Sequence, residues 1–106
     1  MTRPAVLEPA AIDGWLASHP RWRLEDGHLV RGVTTVDYVS SVRLLTAQVP
    51  LAEGLDHHPM VELGYRTVRF ELWTHDRGGL TSLDLAYAEG LDQIIVRDFA
   101  DALLSS

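Results

Sequence analysis

The fold is decided by a stretch of ten residues, Arg-Thr-Val-Arg-Phe-Glu-Leu-Trp-Thr-His, at positions 66–75. From Val68 and Phe70 onward, apolar side chains alternate with arginine, glutamate and tryptophan. This period of two is typical of a β-strand with one buried face. We therefore predict a strand over 66–74, and we expect His75 to leave its end on the face opposite Val68 and Phe70.

A helix start follows this strand. Residues 76–79, Asp-Arg-Gly-Gly, indicate a loop, and Thr81-Ser82-Leu83-Asp84 has the form of a capping box. We interpret Asp84 as a helix cap that needs no chemical role. Apolar residues then recur at helical spacing and predict a final helix that runs to about Leu104. They are Leu83, Tyr87, Leu91, Ile94, Ile95 and Phe99.

Upstream of the stretch, a short strand is predicted over 60–63, with a turn or bulge at Gly64. A helix is predicted to begin near Asp37. Pro50 should kink or break that helix, because proline removes a backbone hydrogen bond and clashes with the preceding turn. We expect Gly54 to terminate it. Its apolar stripe consists of Tyr38, Val42, Leu45 and Val49.

The first third of the chain predicts a helix and a hairpin. Helical spacing and the flanking prolines indicate a helix over Pro9–Ser18. Asp26-Gly27 between the short apolar runs 22–24 and 28–35 is typical of a hairpin turn. We expect Trp15 and Trp22 to lie in the core.

These elements predict an α+β fold in a single domain spanning residues 1–106. The order is α-β-β-α-β-β-α, and the simplest packing is a four-stranded antiparallel sheet with the helices on one face. Such a sheet leaves open edges, and small domains often gain stability by association.

Composition narrows the functional classes. The chain has no cysteine, which excludes disulfides and thiolate metal sites and fits a reducing compartment. We see no signal peptide and no apolar run long enough to span a membrane, so we expect a cytoplasmic protein. The net charge is -6, and all nine basic residues are scattered arginines. We therefore expect no binding to nucleic acid, which would need a basic face.

Three of the five histidines fall within 19 residues: His57, His58 and His75. They could be structural residues that cap local turns, metal ligands, or acid–base catalysts. An extended His-His pair sends its side chains to opposite sides, and no His-Glu-x-x-His helix is present, so a metal site is disfavoured. Histidine titrates near neutral pH, so the cluster favours proton transfer at an organic substrate.

The sequence leaves open the roles of several residues near the histidines. Asp56 and Asp76 are adjacent to histidines in sequence, and either could orient an imidazole. Glu53 fits a solvated helix position or a supporting partner of a histidine. Trp73 lies either at a subunit interface or in one wall of a pocket.

The pattern resembles the pterin-4a-carbinolamine dehydratase family. The residues that carry the resemblance are Leu55-Asp56-His57-His58-Pro59, Trp73-Thr74-His75-Asp76 and Gly78-Gly79-Leu80-Thr81. Upstream of these motifs the chain agrees less closely with the family. The agreement there rests on Trp22, Leu29-x-Arg31 and Asp37-Tyr38. The chain has Val33 and Thr35 where the family usually has aromatic residues.

The resemblance implies the fold predicted above and a homodimer or homotetramer built by joining sheets and packing helices. It implies dehydration of a 4a-hydroxytetrahydropterin to quinonoid dihydropterin and water, with no metal or redox cofactor. It also implies that His57, His58 and His75 are catalytic, and that His57 and His75 act in the chemical step while His58 acts partly in binding. By the same resemblance, the pterin site would be lined by Asp56, His57, His58, Trp73, Thr74, His75 and Asp76.

Two other functions occur on similar chains. Some relatives act as dimerisation cofactors of a transcription factor, and others act as assembly chaperones without enzymatic activity. Because the chain keeps all three histidines, we rank these non-catalytic functions second.

Overall fold

The computed structural model describes residues 4–105 and contains four α-helices and five β-strands. In chain order they are α1 (Pro9–Ser18), β1 (Arg23–Glu25), β2 (His28–Thr35), α2 (Tyr38–Ala47), α3 (Val49–Leu55), β3 (Met60–Leu63), β4 (Thr67–Leu72), α4 (Ser82–Asp98) and β5 (Leu103–Ser105). Short 3-10 turns occupy His75–Arg77 and Ala100–Ala102. None of the helices within residues 4–105 is long and apolar enough to cross a membrane.

The strands form one antiparallel sheet in the order β1-β2-β4-β3. This confirms the predicted α+β class and the hairpin between β1 and β2. At the hairpin turn Asp26 and Gly27 have φ angles of 50° and 81°. Two consecutive left-handed residues are the geometry that makes Asp-Gly a favoured hairpin turn.

A fifth strand was not predicted, because the sequence indicated that the last helix continues to about Leu104. The helix α4 instead ends at Asp98, and Phe99 leaves the helical conformation with φ -128° and ψ 11°. The Phe99 side chain is buried, and the guanidinium carbon of Arg43 lies 5.5 Å from the centre of its ring. The chain then turns back, and β5 pairs with β2 at Thr34 and Thr35.

The core lies between one face of the sheet and the helices, as predicted. Alternate residues of β2 and β4 pack against α4, α2 and α3. Trp22 is buried in this core, and Trp15 of α1 is partly buried against it. The fully buried side chains include Leu29, Val33, Leu44, Val68, Phe70, Leu72, Tyr87, Leu91 and Ile95.

The opposite face of the sheet carries a network of charges around Arg69. Its guanidinium donates to the carboxylates of Glu25, Glu62 and Glu71, at 2.9, 3.2 and 3.0 Å. Exposed ion pairs of this kind add little stability individually. They place polar groups over the sheet face that the helices leave exposed, and they hold the side chain of Glu71 in one position.

The predicted stripe of the second helix lies mostly on the outer face. Tyr38 and Val42 are exposed, whereas Ser41 and Leu44 are buried. Contacts with the rest of the fold decide which side of this helix is buried. The hydroxyl of buried Ser41, for example, is hydrogen-bonded to the hydroxyl of Thr35 at 2.6 Å. The predicted stripe therefore marks one face of the helix, but not its buried face.

The predicted break near Pro50 is confirmed. The break lies at Gln48, between α2 and α3, so Pro50 occupies the first turn of α3, where no N–H is needed. Gly54 is not the terminator that we expected. The helix α3 continues to Leu55 and ends at Asp56, which adopts a left-handed conformation with φ 49°.

Candidate active site

The first wall of the site is the segment that follows α3. The backbone N–H groups of Asp56 and His57 donate to the carbonyl oxygens of Glu53 and Ala52, which closes the helix end. His57 is buried and His58 is exposed. The two side chains therefore leave the chain in different directions, as an extended segment before Pro59 requires.

His57 is anchored to a buried carboxylate. Its Nε2 lies 2.6 Å from Oδ1 of Asp84, which is fully buried. Oδ2 of Asp84 accepts hydrogen bonds from the Thr74 hydroxyl and the Thr81 backbone N–H, both at 2.8 Å. An ionised carboxylate can only accept hydrogen bonds, so Nε2 of His57 is the donor in its contact with ionised Asp84. In a neutral imidazole this leaves Nδ1 as a proton acceptor.

Asp84 therefore does more than the sequence indicated. It completes the predicted capping box of α4 with one oxygen and holds His57 with the other. The interpretation of Asp84 as a cap without a chemical role was incomplete. The capping-box spacing predicted the contact between Asp84 and Thr81. It could not predict the contact with His57, because 27 residues separate Asp84 from His57 and local sequence patterns do not extend that far.

His58 has a carboxylate partner in a more exposed setting. Its Nε2 lies 2.6 Å from Oε2 of Glu53, one turn back on α3. Both side chains are more than half exposed, so water screens the pair. Glu53 is thus both a solvated helix residue and the partner of His58. Asp56 instead caps the end of α3, and Asp84 contacts His57.

The second wall is formed where β4 ends. Thr74 bridges back to Gly79, with its N–H 2.9 Å from the Gly79 carbonyl oxygen, and this contact closes the 3-10 turn His75–Arg77. The indole N–H of Trp73 donates to Nδ1 of His75 at 3.1 Å. His75 is exposed at the rim of this wall.

The two walls enclose an open cleft of about 240 Å³. All seven residues predicted to bind substrate line it: Asp56, His57, His58, Trp73, Thr74, His75 and Asp76. Trp73 therefore forms part of a pocket wall, one of the two positions that we considered. Two histidines backed by carboxylates and one histidine backed by an N–H donor share a single small cavity.

A larger cleft of about 440 Å³ lies elsewhere, between β2, the end of α4 and β5. Its polar groups are Arg21, Arg31 and Asp92, and Arg31 forms an ion pair with Asp92. It contains no histidine. Because proton transfer near neutral pH needs groups that titrate there, we assign the candidate active site to the smaller cleft.

Within residues 4–105, no group of three or more His, Cys, Asp or Glu side chains is arranged to hold a metal ion. The carboxylates instead bind histidine nitrogens directly, at 2.6 Å for both His57 and His58.

Known proteins share this sequence pattern over most of the chain. The family model described as pterin 4 alpha carbinolamine dehydratase matches residues 5–94. A protein of Metallosphaera sedula is 43% identical over 94 residues, which are 89% of this chain and 95% of the relative. A protein of Mycobacteroides abscessus is 39% identical over 93 residues, 88% of this chain and 99% of the relative. Both are provisionally named pterin-4-alpha-carbinolamine dehydratases.

Solved structures share the fold. A transcriptional coactivator/pterin dehydratase from Brucella melitensis superimposes with a TM-score of 0.79 at 26% identity, covering 84% of this chain and 97% of that one. A pterin dehydratase-like RuBisCO assembly factor of the alpha-carboxysome gives a TM-score of 0.56 at 21% identity, over 70% and 86% of the two chains. The second likeness concerns the fold alone. With the family model covering most of its length, the chain belongs to the pterin-4a-carbinolamine dehydratase family.

Proposed function

We propose that this protein dehydrates a 4a-hydroxytetrahydropterin to the quinonoid dihydropterin and water, which would regenerate the pterin used by aromatic amino acid hydroxylases. The observation that carries the proposal is the pair of His57 and buried Asp84 at the wall of a cleft that His58 and His75 also line. A histidine with one nitrogen fixed by a carboxylate and the other free to accept a proton is suited to general acid–base catalysis.

The reaction requires two proton transfers. One proton reaches the hydroxyl oxygen at C4a as it leaves as water, and one proton leaves N5, whose lone pair forms the new double bond to C4a. Nε2 of His57 and Nε2 of His58 each lie 2.6 Å from a carboxylate oxygen, so Nδ1 of each ring is the nitrogen that can exchange a proton with the substrate. The electron pair comes from the substrate itself, so the histidines need only move protons.

The direct test is the dehydration rate of freshly generated 4a-carbinolamine in stopped flow. We expect the wild type to accelerate it, and we expect His57→Ala and His75→Ala each to lower kcat by roughly 100-fold or more. His58→Ala should also raise KM, because its exposed side chain lines the mouth of the cleft.

His19→Ala is the matched control, since His19 caps the end of α1 and is not among the residues that line the cleft. It should keep the wild-type rate. Wild-type turnover in both the His57 and His75 variants would refute the acid–base assignment.

A non-catalytic role as a dimerisation cofactor or assembly chaperone is the alternative, and the same assay separates it from the enzyme. A pure protein that leaves the spontaneous dehydration rate unchanged would favour that alternative. The three histidines in one cleft support the enzyme, because scaffolding does not require three titratable groups at a small cavity.

A further inference from the structure

A row of three aromatic rings leads from the uncovered sheet face into the cleft. Antiparallel pairing of Leu29 with Leu72 brings His28 beside Trp73, which directly follows β4. The two rings are stacked, with centroids 4.2 Å apart and planes 7° apart. The ring of His75 follows, 4.5 Å from that of Trp73. His28 belongs to no motif that we quoted from the sequence.

The contact between Trp73 and His75 selects one proton position. An indole N–H can only donate a hydrogen bond, so Nδ1 of His75 must accept at 3.1 Å and carries no proton. The proton of neutral His75 is then on Nε2. Protonation of Nδ1 would replace this hydrogen bond by two opposed N–H groups.

The position of Trp73 is in turn fixed from behind. Nδ1 of His28 lies 2.6 Å from Oε2 of Glu71, and Glu71 also accepts from Arg69. The hydrogen bond from His28, followed by that from Arg69, holds the pKa of Glu71 below its usual value. An ionised Glu71 only accepts, so Nδ1 of His28 is the donor and the plane of its ring is set. The stacked indole is thereby held parallel to it.

His75 thus differs from its neighbours. Carboxylate oxygens lie 2.6 Å from Nε2 of His57 and His58 and leave Nδ1 of those rings as the acceptor, whereas the indole N–H donates to Nδ1 of His75 and leaves Nε2 as the nitrogen that carries the proton. A neutral imidazole with its proton on Nε2 can donate a hydrogen bond to an oxygen and polarise it. It cannot accept a proton on Nε2.

We propose that His28 and Trp73 are positioning residues that fix His75 as a neutral hydrogen-bond donor to an oxygen of the substrate, and that His75 is not the proton acceptor. The identity of the substrate rests on the proposed function, whereas the proton position on His75 does not. Under this assignment His57 and His58, which contact carboxylates, transfer protons, and His75 binds the oxygen.

The proton position is measured by two-bond ¹H–¹⁵N correlation spectra of the histidine rings, with His75→Gln used to assign the His75 signals. We expect wild-type His75 to be neutral with its proton on Nε2. Trp73→Phe keeps a stacking ring and removes the donor, so the form with the proton on Nδ1 should become visible. Trp15→Phe, at a tryptophan whose indole binds Glu89 elsewhere, is the control and should change nothing at His75.

His28 is tested by two variants. His28→Phe keeps a ring for stacking but loses the bond to Glu71, and His28→Ala loses both. We expect the His75 signals to shift toward a mixture of tautomers in the order wild type, Phe, Ala. A wild-type His75 that already carries its proton on Nδ1, or a Trp73→Phe protein with unchanged tautomer content, would overturn the proposal.

Kinetics distinguish this proposal from the proposed function. If the protein is the dehydratase, Trp73→Phe should lower kcat by about ten-fold, the scale of one hydrogen bond, with a smaller change in KM. An inactive wild type with the expected tautomer would refute the dehydratase and leave the positioning role intact. An active wild type whose Trp73→Phe variant keeps full kcat would refute the positioning role and leave the dehydratase intact.

Discussion

At the scale of single residues, the cleft shows that the partner behind a histidine decides its chemistry. The structure shows that the side chains of Asp84, Glu53 and Trp73 contact His57, His58 and His75, respectively. The two carboxylates contact Nε2 of their histidines and leave Nδ1 to face other groups, whereas the indole N–H contacts Nδ1 of His75 and leaves Nε2. Glu53 and Trp73 lie close in the chain to the histidines that they contact, whereas Asp84 lies 27 residues from His57.

Asp84→Asn tests this view directly. The Thr81 N–H and the Thr74 hydroxyl both need an acceptor, so the asparagine oxygen should face them and its NH₂ group should face His57. Nε2 of His57 would then have to accept, and its proton would move to Nδ1. We expect kcat to fall by roughly 100-fold to 10,000-fold, as happens when a catalytic histidine is held in the wrong tautomer.

The control for Asp84→Asn is Asp37→Ala, because Asp37 also caps a helix with its side chain but lies at the start of α2. It should lower stability in denaturant titrations without changing kcat. An Asp84→Asn protein that turns over at the wild-type rate would show that the bond to His57 has no catalytic importance.

At the scale of elements, the sequence predicted what local signals determine. The bounds of α1, the break near Pro50 and the strand 60–63 all follow from proline, spacing and alternation. The end of α4 did not, because Phe99 continues the apolar stripe and no glycine or proline follows it. Only the packing of Phe99 and the pairing of β5 with β2 stop that helix.

The same limit applies to the site. The seven lining residues were predicted from the resemblance to the family, whose two contiguous motifs contain them. His28 was missed because it reaches the site through the pairing of β2 with β4, and its neighbours in the sequence carry no chemistry. Sequence patterns report local geometry, whereas cross-strand contacts depend on the register of the whole sheet.

The contact between α4 and the break at Gln48 gives a stability prediction at high pH. Tyr87 is fully buried, and its hydroxyl donates to Oε1 of Gln48 at 2.5 Å. Burial raises the pKa of Tyr87 well above its usual value. Its contribution to folding is therefore complete below the unfolded pKa of about 10 and is lost as the pH rises beyond it, because the unfolded chain ionises first.

We expect the free energy of unfolding to decrease above pH 10 by up to about 1.4 kcal/mol per pH unit from this residue. Tyr87→Phe should be less stable at neutral pH and should show a smaller alkaline slope. Denaturant titrations at several pH values measure both quantities. Tyr38→Phe, at an exposed tyrosine, is the control and should keep the wild-type slope. Equal slopes for wild type and Tyr87→Phe would contradict the prediction.

At the scale of the whole molecule, the outer face of α2 carries exposed apolar side chains. Tyr38 and Val39 are 50% and 66% exposed, and the ring of Tyr65 lies 6.4 Å from that of Tyr38. Edge strand β3 adds exposed Met60 and Leu63. Contiguous apolar patches on small proteins usually mark contacts with another chain. We therefore predict a homodimer or homotetramer that covers these surfaces.

Light scattering at tens of micromolar protein tests this prediction. We expect the wild type to be larger than a monomer. Val39→Glu places a charge on the outer face of α2 and should reduce the assembly size, whereas Val96→Glu, at a valine on α4 that is 74% exposed, should not. A monomeric wild type would refute the association, and an unchanged size for Val39→Glu would exclude α2 from the interface.

The double attachment of Asp84 has a consequence for how such a protein can evolve. One oxygen supports the helix and the other supports His57, so selection for a folded chain preserves the aspartate even when catalysis is no longer useful. His57 has no comparable structural role, because it is not part of the capping box. A lineage that abandons the reaction should therefore lose its histidines by drift while it retains this aspartate. Among descendants, the presence of Asp84 would mark the fold, and the presence of His57 would mark the activity.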